Sequence, residues 1–211
     1  MNISPSKENI LKKIRKALSQ STPVPFPNSE GTSNVFQPLQ QEPEVEFAEQ
    51  FTKLQGKFIF CEDHNELAIQ LNALVARQQL TSIYCRDEAL KQLLTDHAFV
   101  QFADVELEAC DASITNCEAL VARTGSMVLS AAQPVGRTVS VYAPIHICIA
   151  YTSQLVYDIK DAVQLIKNKY GSSLPSMITF ATGPSRTADI EKTLVVGVHG
   201  PKEVYCFLID D

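Results

Sequence analysis

The stretch KFIFCEDHNELAIQLNALVARQQLTSIYCRDEALKQLLTD, residues 57–96, decides the fold. KFIFC is a short apolar run, NELAIQLNALVARQQ repeats its apolar residues at helical spacing, SIYC is a second run and RDEALKQLLTD a second helix. Strands separated by helices of this length imply βαβ crossovers and a parallel sheet covered on both faces. Further runs follow at ALVA (119–122), SMVLS (126–130), HICIA (146–150), MITF (177–180), TLVV (193–196) and VYCFLI (204–209), with a helix expected over SQLVYDIKDAVQLIKNK (153–169). The expected architecture is α/β: an open, mostly parallel sheet with flanking helices, extra antiparallel pieces and an N-terminal helical extension.

Ahead of this body, MNISPSKENILKKIRKALSQ (1–20) has the marks of a helix with Ser4 as N-cap and Pro5 as first helical residue. Ile10, Ile14, Ala17 and Leu18 share one face, and five cations (Lys7, Lys12, Lys13, Arg15, Lys16) stand against Glu8. Such a segment suits docking on the body or on a partner subunit better than a membrane surface. STPVPFPNSEGTSNVFQPLQQ (21–41), with four prolines, is expected to be an extended linker. Residues 1–41 are therefore assigned to a basic helix and linker, and 42–211 to one α/β domain, whose first element is a helix over EPEVEFAEQFTKLQ (42–55).

Of the 211 residues 45% are hydrophobic and 20% charged, an ordinary globular balance with enough apolar surface for one core. A net charge of -6 argues against nucleic-acid binding, which relies on clustered Lys and Arg. No run approaches the ~18 apolar residues of a membrane span, so a cytoplasmic location is expected. The cysteines at 61, 85, 110, 117, 148 and 206 show no CxxC spacing, and His64, His97, His146 and His199 form no HxH or HExxH pattern. Neither a metal nor a cofactor is expected, and the thiols read as buried hydrophobes.

Three segments could carry chemistry. In ALVARTGSMVLS, Thr124-Gly125-Ser126 reads as a tight hairpin turn with Gly125 at positive φ, or as hydroxyls and N–H groups offered to a ligand. In PIHICIAY the strand period separates Ile145, Ile147 and Ile149 from His146, Cys148 and Ala150, leaving His146 as a core histidine or a catalytic base. ATGPSRTADIEKTLVVGVHGP (181–201) holds more hydroxyls and charges than a chain reversal needs. With MITF delivering it to the carboxyl edge of the sheet, Thr182-Gly183-Pro184-Ser185 would be the strand-to-helix loop, and Ser185 or Thr187, on either side of Arg186, would cap a short helix through Ala188, Asp189 and Ile190. Its free N–H groups and the Arg186 guanidinium would favour a small carboxylate or phosphate. Asp189, Glu191 and His199 are the acid–base candidates, beside His146.

TGPSRTADIEKTLVVGVHGPKEV closely resembles the C-terminal signature of the LUD-domain family of lactate utilisation proteins, and the likeness extends to ALVARTGSMVLS, GRTVSVYAPIHICIAYTSQLV and KENILKKIRKAL. The resemblance implies a fold like that of the NagB/RpiA/CoA-transferase superfamily. It also implies a non-redox subunit that works with iron–sulfur partner proteins in oxidising L-lactate to pyruvate. It carries over Thr124, Gly125, Ser126, His146, Gly183, Pro184, Ser185, Arg186, Thr187, Asp189, Glu191, His199 and Gly200. It assigns no catalytic step to this subunit itself. Members have an acidic residue before TG where this sequence has Arg123, so no acid–base role carries over to that position. The same fold also suits a stand-alone CoA-transferase-like enzyme or a binding protein for a small carboxylate or phosphate-bearing ligand. Such transferases need a nucleophilic glutamate, and none here stands in a setting that singles it out.

Overall fold

A computed structural model describes residues 5–19, 38–39, 41–188 and 194–211. Helix α1 (Pro5–Leu18) belongs to one compact unit, and residues from Pro38 to Asp211 make up the other. Pro5 opens α1, as a residue without an N–H can; Ser4, and residues 21–37 and 40 of the expected linker, lie outside the described residues.

In the second unit α2 (Pro43–Lys53) leads into β1 (Lys57–Cys61), α3 (His64–Gln78), β2 (Ile83–Cys85) and α4 (Glu88–Asp96). The helices start where the sequence provides caps. The Asp63 carboxylate accepts the Glu66 N–H, and the Asp87 carboxylate accepts those of Ala89 and Leu90. The chain continues through β3 (Ala112–Thr115), β4 (Ala119–Val121), β5 (Ser126–Ser130), the one-turn helix α5 (Val139–Tyr142) and β6 (Ile145–Tyr151). It ends with β7 (Leu155–Val156), α6 (Ile159–Tyr170), β8 (Ile178–Ala181), β9 (Arg186–Ala188), β10 (Leu194–Val196) and β11 (Glu203–Ile209).

Five strands form a fully parallel sheet in the order β1-β11-β6-β3-β2. Its central strand, β6, is buried on both faces, as its near-continuous apolar sequence requires. Ile145, Ile147 and Ile149 join Leu67, Leu71 and Leu74 of α3 and Leu90 and Leu94 of α4 in one core. Cys148 and Ala150 face the other core, with Phe47 and Phe51 of α2 and Leu120, Met127 and Leu129 of a second sheet.

That second sheet has the order β7-β4-β5-β8 and is mixed. It covers the face of the parallel sheet that βαβ logic alone would give to helices. Its own outer face packs on Ala162 and Ile166 of α6. Two expectations change. Residues 153–169 are not one helix: Leu155 and Val156 pair with Leu120 and Val121 of β4, and α6 starts only at Ile159, behind the Asp158 cap. MITF does not enter the parallel sheet, because β8 runs antiparallel to β5 in the second one.

Candidate functional site

Helix α2 ends in a C-cap residue, Leu54, whose carbonyl sits at the negative end of the helix dipole. Two motifs far apart in sequence close on this helix end. Gly125 has φ 60°, and a methyl group there would stand 2.5 Å from the Phe51 nitrogen. Gly183 has φ 80°, and a methyl group there would stand 2.6 Å from the Leu54 oxygen. Only glycine allows both the dihedral and the approach. Arg186 Nη2 then donates to the Leu54 carbonyl. A guanidinium holds more donors than one carbonyl can use, so this bond orients the fork without exhausting it.

The two motifs also meet directly. Ser126 Oγ lies 2.8 Å from Thr182 Oγ1 and 2.8 Å from Thr124 Oγ1, a chain of three hydroxyls across the seam between β5 and the loop after β8. Thr124-Gly125-Ser126 is a tight turn joining antiparallel strands, with Gly125 left-handed, and its hydroxyls reach the TGPSR segment as well.

The seam lies elsewhere than the sequence suggested. Leu54 precedes β1, the Ser185 N–H donates to the Pro201 carbonyl, and the Lys202 N–H donates to the Pro144 carbonyl just before β6. The segment therefore stands by the amino-terminal ends of β1, β6 and β11, not at the carboxyl edge. The helix expected from Ser185 is also absent: Arg186, Thr187 and Ala188 pair antiparallel with Val196, Val195 and Leu194. β-Branched residues on both arms favour the ribbon over a capped helix. Among the described residues of this segment no helix N-terminus serves as an anion cradle. Asp189 and Glu191 lie outside the described residues.

The remaining candidates are placed as follows. Pro184 is buried, and Ser185 and Thr187 are half-buried. His146 is 1% exposed and its Nε2 lies 2.8 Å from Thr115 Oγ1. Burial lowers its pKa and keeps the imidazole neutral, as befits a core histidine. His199 is exposed and lines a cavity of about 420 Å³ with Val141, Tyr142, Pro144, Val198 and Lys202. Gly200 packs against Ser185, where a methyl group would stand 2.8 Å from its Cβ. Among the described residues no three His, Cys, Asp or Glu side chains cluster as a metal site.

Two polar centres escaped sequence reading. Glu118 is buried, accepting from Ser130 Oγ at 2.6 Å, Tyr170 Oη at 2.6 Å and Lys169 Nζ at 2.8 Å. Burial pushes its pKa up, but these three donors outweigh it and hold the carboxyl below its usual range. The only signal was an acid at the head of a buried strand, Cys117-Glu118-Ala119-Leu120-Val121. Arg123 makes two bonds to the buried Asp158 carboxylate, at 2.7 and 3.2 Å, and Asp158 caps α6. The position before TG thus has a structural partner in this chain.

A parallel sheet backed by a mixed sheet, with a TGS turn locked to a TGPSR loop, defines a class that comparison with known proteins identifies. The chain belongs to the LUD domain family, whose model matches residues 45–209. It is 38% identical over 106 residues to lactate utilization protein C of Bacillus subtilis, covering 49% of this chain and 44% of that protein. Lactate utilization protein C of Halalkalibacterium halodurans is 36% identical over 118 residues, covering 55% of this chain and 51% of that protein. The chain thus spans about half the length of the curated relatives it matches. Among solved structures, a DUF162 family protein from Deinococcus radiodurans superposes with a TM-score of 0.60 at 17% identity, over 82% of this chain and 99% of that one. This last likeness speaks to the fold alone.

Proposed function

We propose that this chain is a non-redox component of an L-lactate utilisation system, acting with iron–sulfur partner proteins in the oxidation of L-lactate to pyruvate. One observation carries the reading: the chain is a LUD domain protein, and curated relatives aligned with it are lactate utilisation proteins. The seam gives it a candidate place of action. Thr124, Ser126 and Thr182 supply hydroxyls, and Arg186 supplies a guanidinium already oriented by Leu54. A small α-hydroxy or α-keto carboxylate is the ligand such donors suit, with the carboxylate on the fork of Arg186 and the second oxygen on a hydroxyl.

The alternative of a stand-alone CoA-transferase-like enzyme needs an accessible carboxylate nucleophile. Glu118, at the head of a buried strand, is buried and fully engaged by Ser130, Lys169 and Tyr170, which suits a structural anchor. Affinity purification of the tagged chain from its own cells, under anaerobic conditions, tests the assignment. Iron-containing proteins that form pyruvate from L-lactate should co-purify with it. Recovery of the chain alone, with cellular L-lactate oxidation undiminished when it is removed, would refute the assignment.

A further inference from the structure

We propose that the cavity between α5 and the 197–202 turn binds an organic anion with an apolar body, a carboxylate or phosphate ester whose head is held by Lys202 and His199. Thr124, Ser126, Thr182 and Arg186 of the seam do not line it, and the inference does not rest on the lactate reading. Its volume, about 420 Å³, lies in the range of small-molecule sites, roughly 300–1,000 Å³. A bare phosphate or lactate ion would leave most of that space to water. The walls are Val141, Tyr142, Pro144 and Val198, and three of these expose large apolar surfaces at one opening: Tyr142 54%, Val198 53% and Val141 38%. Such a patch around a concavity marks a binding surface.

The polar end is built. Lys202 is fixed at its backbone by the bond to Pro144, and its stem lies over Gly197 so closely that a methyl group there would stand 2.2 Å from Lys202 Cγ. Gly197 also has φ 78°, a conformation that suits glycine. The neighbouring acid, Glu203, gives Lys202 no counter-charge, because its carboxylate is turned to Lys57, Gln78 and Tyr205. Among the described residues neither the Lys202 ammonium nor the His199 ring has a side-chain partner. A cation with no counter-ion among the described residues, at the rim of an apolar cavity, calls for an anionic head on an apolar body, with the Tyr142 ring available to stack on an aromatic one.

Titration of the full chain with phenyl phosphate, benzoate, inorganic phosphate, L-lactate and benzyl alcohol, followed by calorimetry and amide chemical shifts, tests this. At least one of phenyl phosphate and benzoate should bind about tenfold more tightly than inorganic phosphate, L-lactate and neutral benzyl alcohol. The better of the two identifies the head. Lys202→Met retains an unbranched stem at an exposed position, so it should leave the thermal midpoint unchanged and weaken the aromatic anion about tenfold. Tyr142→Ala should weaken the aromatic anion and leave inorganic phosphate unaffected. Absence of saturable binding by both aromatic anions at about 10 mM would overturn the proposal. So would an affinity that Lys202→Met does not change, or shifts confined to residues outside 141–144 and 197–202.

Discussion

Ser126 and Thr182, 56 positions apart, are joined by a 2.8 Å hydrogen bond between their hydroxyls. The bond ties the turn between β4 and β5 to the loop that follows β8, and with Gly125 and Gly183 it fixes both against the end of α2. Ser126→Ala removes the middle of a three-hydroxyl chain, whereas Thr124 and Thr182 keep access to water. The loss should be on the order of 1 kcal/mol in denaturant melts. A cycle with Thr182→Val should show coupling of about 0.5–1.5 kcal/mol; zero coupling would mean the seam is not held by this bond.

The Arg123–Asp158 pair should show in the acid limb of stability. Hydrogen bonding from Arg123 is the main cause holding the Asp158 carboxyl below its usual pKa. A depressed carboxyl contributes stability above its unfolded pKa, about 3.9, and that contribution fades as pH falls through the lower folded value. Arg123→Met should therefore cost about 1–3 kcal/mol at neutral pH, and the gap to wild type should narrow below about pH 4. A gap constant down to the acid transition would contradict the assignment.

Glu118 behaves as an anchor in this account. Glu118→Ala strands the buried Ser130 hydroxyl and leaves Lys169 and Tyr170 without their acceptor. Destabilisation of about 2–4 kcal/mol is expected. Lys169→Met should raise the Glu118 pKa, since it removes one of the donors that offset burial. Carboxyl infrared or NMR titration would read the shift, and a fall in that pKa would refute the network.

All six cysteines are buried, and burial pushes Cys61 and Cys85 up to about 11. The thiolate is the reactive form, so the folded chain should resist iodoacetamide at pH 8 and take up six equivalents only on unfolding. Rapid native labelling at Cys148 or Cys206 would mean that the core between the two sheets opens.

Much of this was legible in the chain. The βαβ start over residues 57–96, the burial of β6 and the left-handed Gly125 follow from local spacing and turn chemistry. What failed was the destination of strands. Nothing local in MITF distinguishes a parallel strand from one that completes a second sheet, and the placement of the TGPSR loop followed from that error. The helix expected at Ser185 lost to pairing between Arg186–Ala188 and Leu194–Val196, a contact invisible to capping rules. Likewise the partner of Arg186, the Leu54 carbonyl, lies 132 positions away, beyond any motif.

Arg186 separates a ligand-holding role from a purely structural one. Arg186→Lys can still donate to Leu54 but loses the planar fork, so the thermal midpoint should move little. Carboxylate binding at the seam should weaken by about 1.5–3 kcal/mol, measured by calorimetry with lactate and pyruvate. A large drop in melting temperature, with no carboxylate binding to wild type, would make Arg186 a clamp on α2 and nothing more.

The most direct measurement is L-lactate-dependent pyruvate formation in cells of the source organism with the gene for this chain deleted. The account predicts that growth and pyruvate formation on L-lactate are lost in the deletion strain, restored by the wild-type chain and restored poorly by Arg186→Ala. A deletion strain that consumes L-lactate at the wild-type rate, in the absence of a second L-lactate-oxidising system, would contradict it.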